Sequence, residues 1–167
     1  CGPIGSLIAQ MVARSGASLV LATEKLPHRL EAVSKLGVRT IPATGREVGA
    51  INEITRGRGL DVVIEVAGEN AAVEAALETV KPGGQVTLVG IPSDDSTVVR
   101  ASLVRRKGLA VQWVRRMKHT YPRAIALVNS GTVDVRSIVT HSFPLEQAVK
   151  AFQTATRREG QKVIVTM

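Results

Sequence analysis

Short apolar runs of strand length alternate with helix-period stretches along almost the whole chain, and that alternation leaves few folds open. Residues 3–14 place Ile4, Leu7, Ile8, Met11 and Val12 on one helical stripe, closed by Ser15-Gly16. Residues 18–23 are β-rich. A helix is expected over 27–36, with Pro27 in its first turn and Gly37 capping its end, and 38–41 forms a brief strand. A weakly amphipathic helix over 46–55 stops at Gly57-Arg58-Gly59. The run LDVVIEV at 60–66 has the near-continuous apolarity of a strand covered on both faces. An Ala-rich helix over 69–80, ended by Pro82-Gly83-Gly84, leads to a strand at 85–91, a polar loop at 92–97 and a short helix reaching Lys107. Strands at 109–114, 138–143 and 162–167 and helices at 122–129 and 145–156 complete the series. Strand followed by helix, repeated with crossovers of this length, means an α/β fold: a Rossmann-type, doubly wound parallel sheet with helices on both faces. The first helix begins at the third residue with no strand to feed it, so the first strand of that sheet is expected to be missing and the chain to be a fragment of a longer protein.

The 167 residues suit one domain with one core. Aromatic residues make up only 2%, so the core must be built from Val, Leu, Ile and Ala, as buried parallel sheets are. The same scarcity removes the stacking platforms on which single-stranded nucleic acids lie, and no nucleic-acid partner is expected. A single Cys excludes a disulfide framework and any multi-cysteine metal site within the chain. No apolar run approaches the roughly 20 residues of a membrane span, and no signal peptide is recognisable, so a cytoplasmic protein without a membrane partner is expected. Lys plus Arg number 22 against 14 for Asp plus Glu, a net charge of +8. The clusters Arg105-Arg106-Lys107, Arg115-Arg116 and Arg157-Arg158 are dispersed, which reads as a solvated basic surface; an anionic ligand is the other use of such charge.

The chemistry-bearing feature lies at the start. Gly2-Pro3-Ile4-Gly5 runs directly into the first helix and supplies the last two glycines of a G-x-G-x-x-G turn. Gly2 would let the backbone approach a pyrophosphate, Gly5 would let the helix pack closely on a strand, and the helix N-terminus would offer N–H groups and positive dipole. Glu24 stands nineteen positions after Gly5, near the offset at which an acidic side chain binds the ribose hydroxyls of NAD and repels the 2′-phosphate of NADP. Lys25, His28 and Arg29 leave NADP open as the less favoured coenzyme. Ala67-Gly68 and Gly90 follow two apolar strands, where a ligand at the carboxyl edge of a sheet would lie.

Several stretches in order carry a resemblance: GPIG at 2–5, Glu24 with Arg29, VIEVAG at 63–68, PGGQVTLVG at 82–90, Val114-Arg115-Arg116 before Thr120-Tyr121-Pro122, and THSFPLEQAVKAF at 140–152. Together they resemble, across essentially the whole chain, the coenzyme domain of the medium-chain zinc-dependent alcohol and polyol dehydrogenases, in particular the sorbitol, xylitol and threonine dehydrogenase branch. The resemblance implies that Gly2, Pro3, Ile4 and Gly5 meet the coenzyme and that Glu24 and Arg29 bracket the adenosine ribose. It implies that Ala67, Gly68, Val89, Gly90 and Ile91 line the nicotinamide side through backbone groups. Val114, Arg115 and Arg116 would close over the nicotinamide, with Arg116 reaching toward a substrate hydroxyl. Met117 stands where the polyol branch often has an aromatic hydroxyl. It further implies that no catalytic residue and no metal ligand lies in this chain. The catalytic zinc, held by Cys, His and Glu residues, would sit in a catalytic domain preceding residue 1, where it polarises the alcohol for hydride loss.

The function expected on this basis is NAD binding within an oxidoreductase that moves a hydride between a small alcohol or polyol and the nicotinamide. An NADP-dependent reductase of the same superfamily, and a non-catalytic nucleotide-binding module, are the alternatives. The late apolar strands at 109–114 and 162–167 are expected to pair at a sheet edge in a homodimer or homotetramer.

Overall fold

A computed structural model describes residues 1–117 and 119–167. The elements follow the order α1 (Pro3–Ala13), β1 (Leu21–Glu24), α2 (Pro27–Ser34), β2 (Arg39–Pro42), α3 (Glu47–Ile54), β3 (Leu60–Glu65), α4 (Asn70–Thr79), β4 (Val80–Leu88), α5 (Ala101–Lys107), β5 (Ala110–Trp113), α6 (Tyr121–Asn129), β6 (Val139–Pro144), a 3-10 turn (Leu145–Gln147), α7 (Ala148–Thr156) and β7 (Lys162–Thr166). Every strand pairing is parallel, in the orders β1-β2, β3-β4-β5 and β6-β7. This is the expected α/β alternation with parallel pairing, the Rossmann type of fold. No helix among the described residues is long and apolar enough to cross a membrane.

The chain divides into two compact units, Cys1–Pro42 with His119–Met167, and Ala43–Lys118. In the first, Ala9 of α1 packs with Val33 and Val38, joined by Ala13, Val20, Ala22 and Leu36. Gln10 is buried on α1, and its amide exchanges two hydrogen bonds with the backbone of Asp134, donating to the carbonyl at 2.9 Å and accepting from the N–H at 2.7 Å. A primary amide has the donor and acceptor a lone peptide unit needs, so a polar side chain is buried here without an unpaired group.

In the second unit, Val73, Ala76 and Leu77 of α4 pack on Val80, Val86 and Leu88 of β4, with Leu103 and Val104 of α5 and Val111 of β5 around them. All are aliphatic, as the scarcity of aromatics required. Each unit thus holds one buried cluster.

Three local expectations are corrected. The strand expected from residue 18 begins at Leu21. Pro82-Gly83-Gly84 was expected to lie between a helix and a strand; instead β4 starts at Val80 and runs through these residues. The pairing jumps from Leu60↔Val80 to Val62↔Gln85, a bulge that absorbs the extra residues, with Gly83 in the left-handed region at φ +70°. Finally, β3 is not covered on both faces. Asp61 and Val62 are exposed, and Asp61 is gripped by Arg58 at 2.7 Å and Lys81 at 2.5 Å in solvent.

The end of α4 depends on a cation from outside the helix. Lys107, the last residue of α5, donates from Nζ to the carbonyls of Leu77 (3.0 Å), Glu78 (2.7 Å) and Val80 (2.8 Å). These are carbonyls that a helix C-terminus leaves without intrahelical donors, and a positive charge there also meets the negative end of the helix dipole. Lys107→Ala is expected to lower stability by about 1–3 kcal/mol, the range for hydrogen bonds to a charged group. Urea denaturation of the two proteins checks it, and an unchanged midpoint would show that water caps these carbonyls equally well.

Candidate functional site

In the first unit the site residues gather around the start of α1. Gly2 is the N-cap in extended conformation, Pro3 occupies the first helical position, and no side chain caps the helix. The fixed φ of proline and its missing N–H suit that position. The amide of Ser6 is already bonded to the Gly2 carbonyl at 2.9 Å, whereas those of Ile4 and Gly5 precede the first intrahelical bond and have no acceptor within the helix. Gly5 is buried, and apart from its chain neighbours and the backbone of α1 a Cβ there would meet no atom within 4 Å. The Ile4 side chain is 59% exposed, an apolar surface beside a polar turn.

Glu24 is the last residue of β1. Its Oε1 accepts from the backbone N–H groups of Lys25 (2.7 Å) and Leu26 (3.0 Å), which fixes the carboxylate in orientation. Its Oε2 accepts from the Cys1 nitrogen at 2.6 Å, so the carboxylate faces the residue that enters the glycine turn. Burial raises the Glu24 pKa, and the backbone N–H groups of Leu26 and Lys25 oppose that rise. Arg29, from α2, lies nearer the turn than the ribose role alone implies. Its Nη1 would stand 3.3 Å from a Cβ on Gly2, and its Nη2 donates to the Gly160 carbonyl at 3.1 Å. Its Nε is buried without a hydrogen-bond partner. The contact with Gly160 could not be read from the sequence, since the two residues are 131 positions apart.

In the second unit, register assembles the site. Glu65 of β3 pairs with Leu88 of β4, and Leu88 pairs with Trp113 of β5. Parallel strands end at the same edge, so Ala67-Gly68, Val89-Gly90-Ile91 and Val114-Arg115-Arg116 leave that edge from adjacent positions. The Val114 N–H bonds back to the Leu88 carbonyl at 2.9 Å. Gly68 has φ +74°, and a Cβ on it would lie 2.5 Å from the Ile91 carbonyl oxygen. A Cβ on Gly90 would lie 2.1 Å from the Gly68 nitrogen. Both glycines are therefore dictated by close backbone approach. Ile91 is 75% exposed and Val114, Arg115 and Arg116 are also exposed, giving this edge an apolar surface flanked by two cations.

One residue here was not singled out from the sequence. Glu65 is only 5% exposed, and its Oε1 accepts from the backbone N–H groups of Ala67 (2.6 Å) and Gly68 (2.8 Å). A signal was present: a lone acid inside VIEVAG, two and three residues before a small-residue turn, has the spacing of a side chain that closes a turn on its own backbone.

A family model described as zinc-binding dehydrogenase matches residues 3–130. The chain belongs to that family. Among curated relatives, L-threonine 3-dehydrogenase from Bacillus licheniformis is 30% identical over 169 residues, covering 99% of this chain and 49% of the relative. Sorbitol dehydrogenase from Bacillus subtilis is 34% identical over 169 residues, with coverages of 98% and 48%. Among solved structures, alcohol dehydrogenase TADH from Thermus sp. ATN1 superposes with a TM-score of 0.91 at 33% identity, covering 99% of this chain and 49% of that one. The chain spans about half the length of the relatives it matches. The stretch matched to the zinc-binding dehydrogenases contains Pro3 to Gly5, Glu24, Arg29 and all three loops at the carboxyl edge of β3, β4 and β5. Among the described residues no three His, Cys, Asp or Glu side chains gather to hold a metal ion, so these residues do not fit a zinc centre.

Gly90→Ala forces backbone apart at the edge of β3 and β4 and should cost about 1–3 kcal/mol or more, the range for overpacking, in urea or thermal unfolding.

Proposed function

We propose that this chain is the NAD-binding part of a zinc-dependent alcohol or polyol dehydrogenase whose catalytic residues and zinc lie in another domain. The observation that carries the coenzyme choice is the Glu24 carboxylate, oriented by two backbone N–H groups and turned toward Cys1 at the glycine turn. An anionic acceptor in that position takes both hydroxyls of the adenosine ribose and opposes a 2′-phosphate.

In the first unit, the open N–H groups of Ile4 and Gly5 and the dipole of α1 attract the pyrophosphate, with Gly2 and Pro3 shaping the turn and Ile4 giving an apolar contact. Arg29, with its buried and unpartnered Nε, adds positive charge beside Gly2. In the second unit, the backbone groups of Ala67, Gly68, Val89, Gly90 and Ile91 hold the nicotinamide, and Val114, Arg115 and Arg116 cover it. Arg116 is placed to donate to a substrate hydroxyl. When bound, the nicotinamide supplies the hydride chemistry; the chain binds it, orients its reacting face and keeps water away.

Two features support a larger, assembled protein. Val149 and Phe152 on α7 are 73% and 71% exposed, more apolar surface on one helix than a solvated face carries. Their cover, in this reading, is the catalytic domain. The strand β5 pairs on one side only among the described residues, leaving an edge for a second copy of the chain.

Calorimetric titration with NADH and NADPH tests the reading. NADH is expected to bind more tightly. Glu24→Gln should weaken NADH by about 1–2 kcal/mol, the worth of hydrogen bonds to a charged group, and narrow the gap to NADPH. A protein that prefers NADPH overturns the NAD assignment, and one that binds neither overturns the coenzyme reading.

A further inference from the structure

The buried acid of the second unit has a task that the coenzyme contacts alone do not explain. Glu65 ends β3, and both its backbone and its side chain are engaged at the edge of the sheet. Its carbonyl accepts from the N–H groups of Val89 (2.8 Å) and Gly90 (3.2 Å), which hold the residues leaving β4. Its Oε1 accepts from Ala67 and Gly68, which hold the residues leaving β3. Its Oε2 lies against Gly90, 2.6 Å from where a Cβ would stand. One residue thus fixes the backbone of two neighbouring loops.

The chemistry of the side chain matters. Ala67 and Gly68 present two successive N–H groups to the same point, and a concave pair of donors needs one oxygen with two lone pairs free to accept. A carboxylate meets that need. With the acid removed, both N–H groups would be left without that partner, and the turn would be free to rotate toward other acceptors. Gly68 and Gly90 touch each other's backbone, so movement of one loop moves the other.

We propose that Glu65 is a positioning residue for the nicotinamide: its carboxylate, through Ala67, Gly68 and Gly90, sets the backbone groups that hold the ring at the geometry hydride transfer requires. This rests on the coenzyme reading above and adds a residue to it. Near-attack geometry is sensitive to displacements of about 1 Å, so a side chain that never touches the coenzyme can still govern the reaction.

The test uses the whole protein with two probes, NADH and ADP-ribose, the second lacking the nicotinamide. Glu65→Ala is expected to weaken NADH roughly tenfold, the scale of the hydrogen bonds lost, while ADP-ribose changes by less than about twofold. Glu65→Gln keeps an acceptor oxygen and should recover NADH binding to within about threefold of the unmutated protein. Equal losses for both probes, no loss for either, or a Gln variant no better than Ala each overturn the proposal. If the Ala variant does not fold, Glu65→Asp retains the acid but withdraws it by one methylene. It should show the same NADH-specific loss, and unaltered binding of both probes by the Asp variant overturns the proposal. An unmutated protein that binds neither probe overturns the coenzyme reading itself, and the role of Glu65 with it; a loss of role confined to the variants leaves that reading standing.

Discussion

The contact between Gly68 and Gly90 governs the second unit. Two parallel strands can be brought into register by any good aliphatic core, but their outgoing loops diverge unless something holds them together. Here the loop backbones come so close that a Cβ on Gly90 would fall 2.1 Å from the Gly68 nitrogen. That approach is possible only because both residues lack a side chain, and because Glu65 supplies the acceptor that the crowded N–H groups of Ala67 and Gly68 need. Val86 and Leu88 on the other side of this junction lie in the buried cluster with Leu77 of α4, so the loops stand on a packed base. The precision of the edge is thus inherited from a core of ordinary residues and three special ones.

The first unit solves a different problem. Its two sheets hold two strands each, and its buried cluster is small, centred on Ala9, Val33 and Val38. Long-range polar contacts supplement that cluster: Gln10 with the Asp134 backbone, Ser6 Oγ with Gln161 Oε1 at 3.2 Å, and Arg29 with Gly160. Each joins α1 or α2 to residues more than a hundred positions away. Directional polar contacts of this kind specify one arrangement more sharply than aliphatic contact does, at little net gain in stability.

Element type could be read from the sequence because the signals were periodic and local. The apolar stripe of α1 and the LDVVIE run of β3 each express a preference that tertiary contacts did not overrule. The positions of Gly2 at the start of α1 and of Glu24 at the end of β1 were readable for the same reason. What escaped was set by register and long-range contact. The PGG sequence inside β4 looks like a terminator, yet it is a bulge, since only the partner strand decides whether extra residues loop out or stay paired. The division into two buried clusters also leaves no local mark. Nor does the sequence alone place Arg29 against Gly160, which depends on how the end of the chain returns to α1 and α2.

In the proposed reading the parts of a dinucleotide are met by different physics, and the difference follows from what each part needs. The first unit offers charge: a carboxylate oriented by two backbone N–H groups, a guanidinium with one buried and unpartnered nitrogen, and the positive end of a helix. Charge acts at range and tolerates small displacements, which suits an anchor. The second unit offers peptide groups and exposed apolar side chains, with its acid turned inward onto its own backbone. Peptide groups fixed by glycine contacts cannot adapt, so they select one orientation of a ring rather than merely attract it. On this view the carboxylate of Glu24 decides which coenzyme is held, and the carboxylate of Glu65 decides how its ring is held.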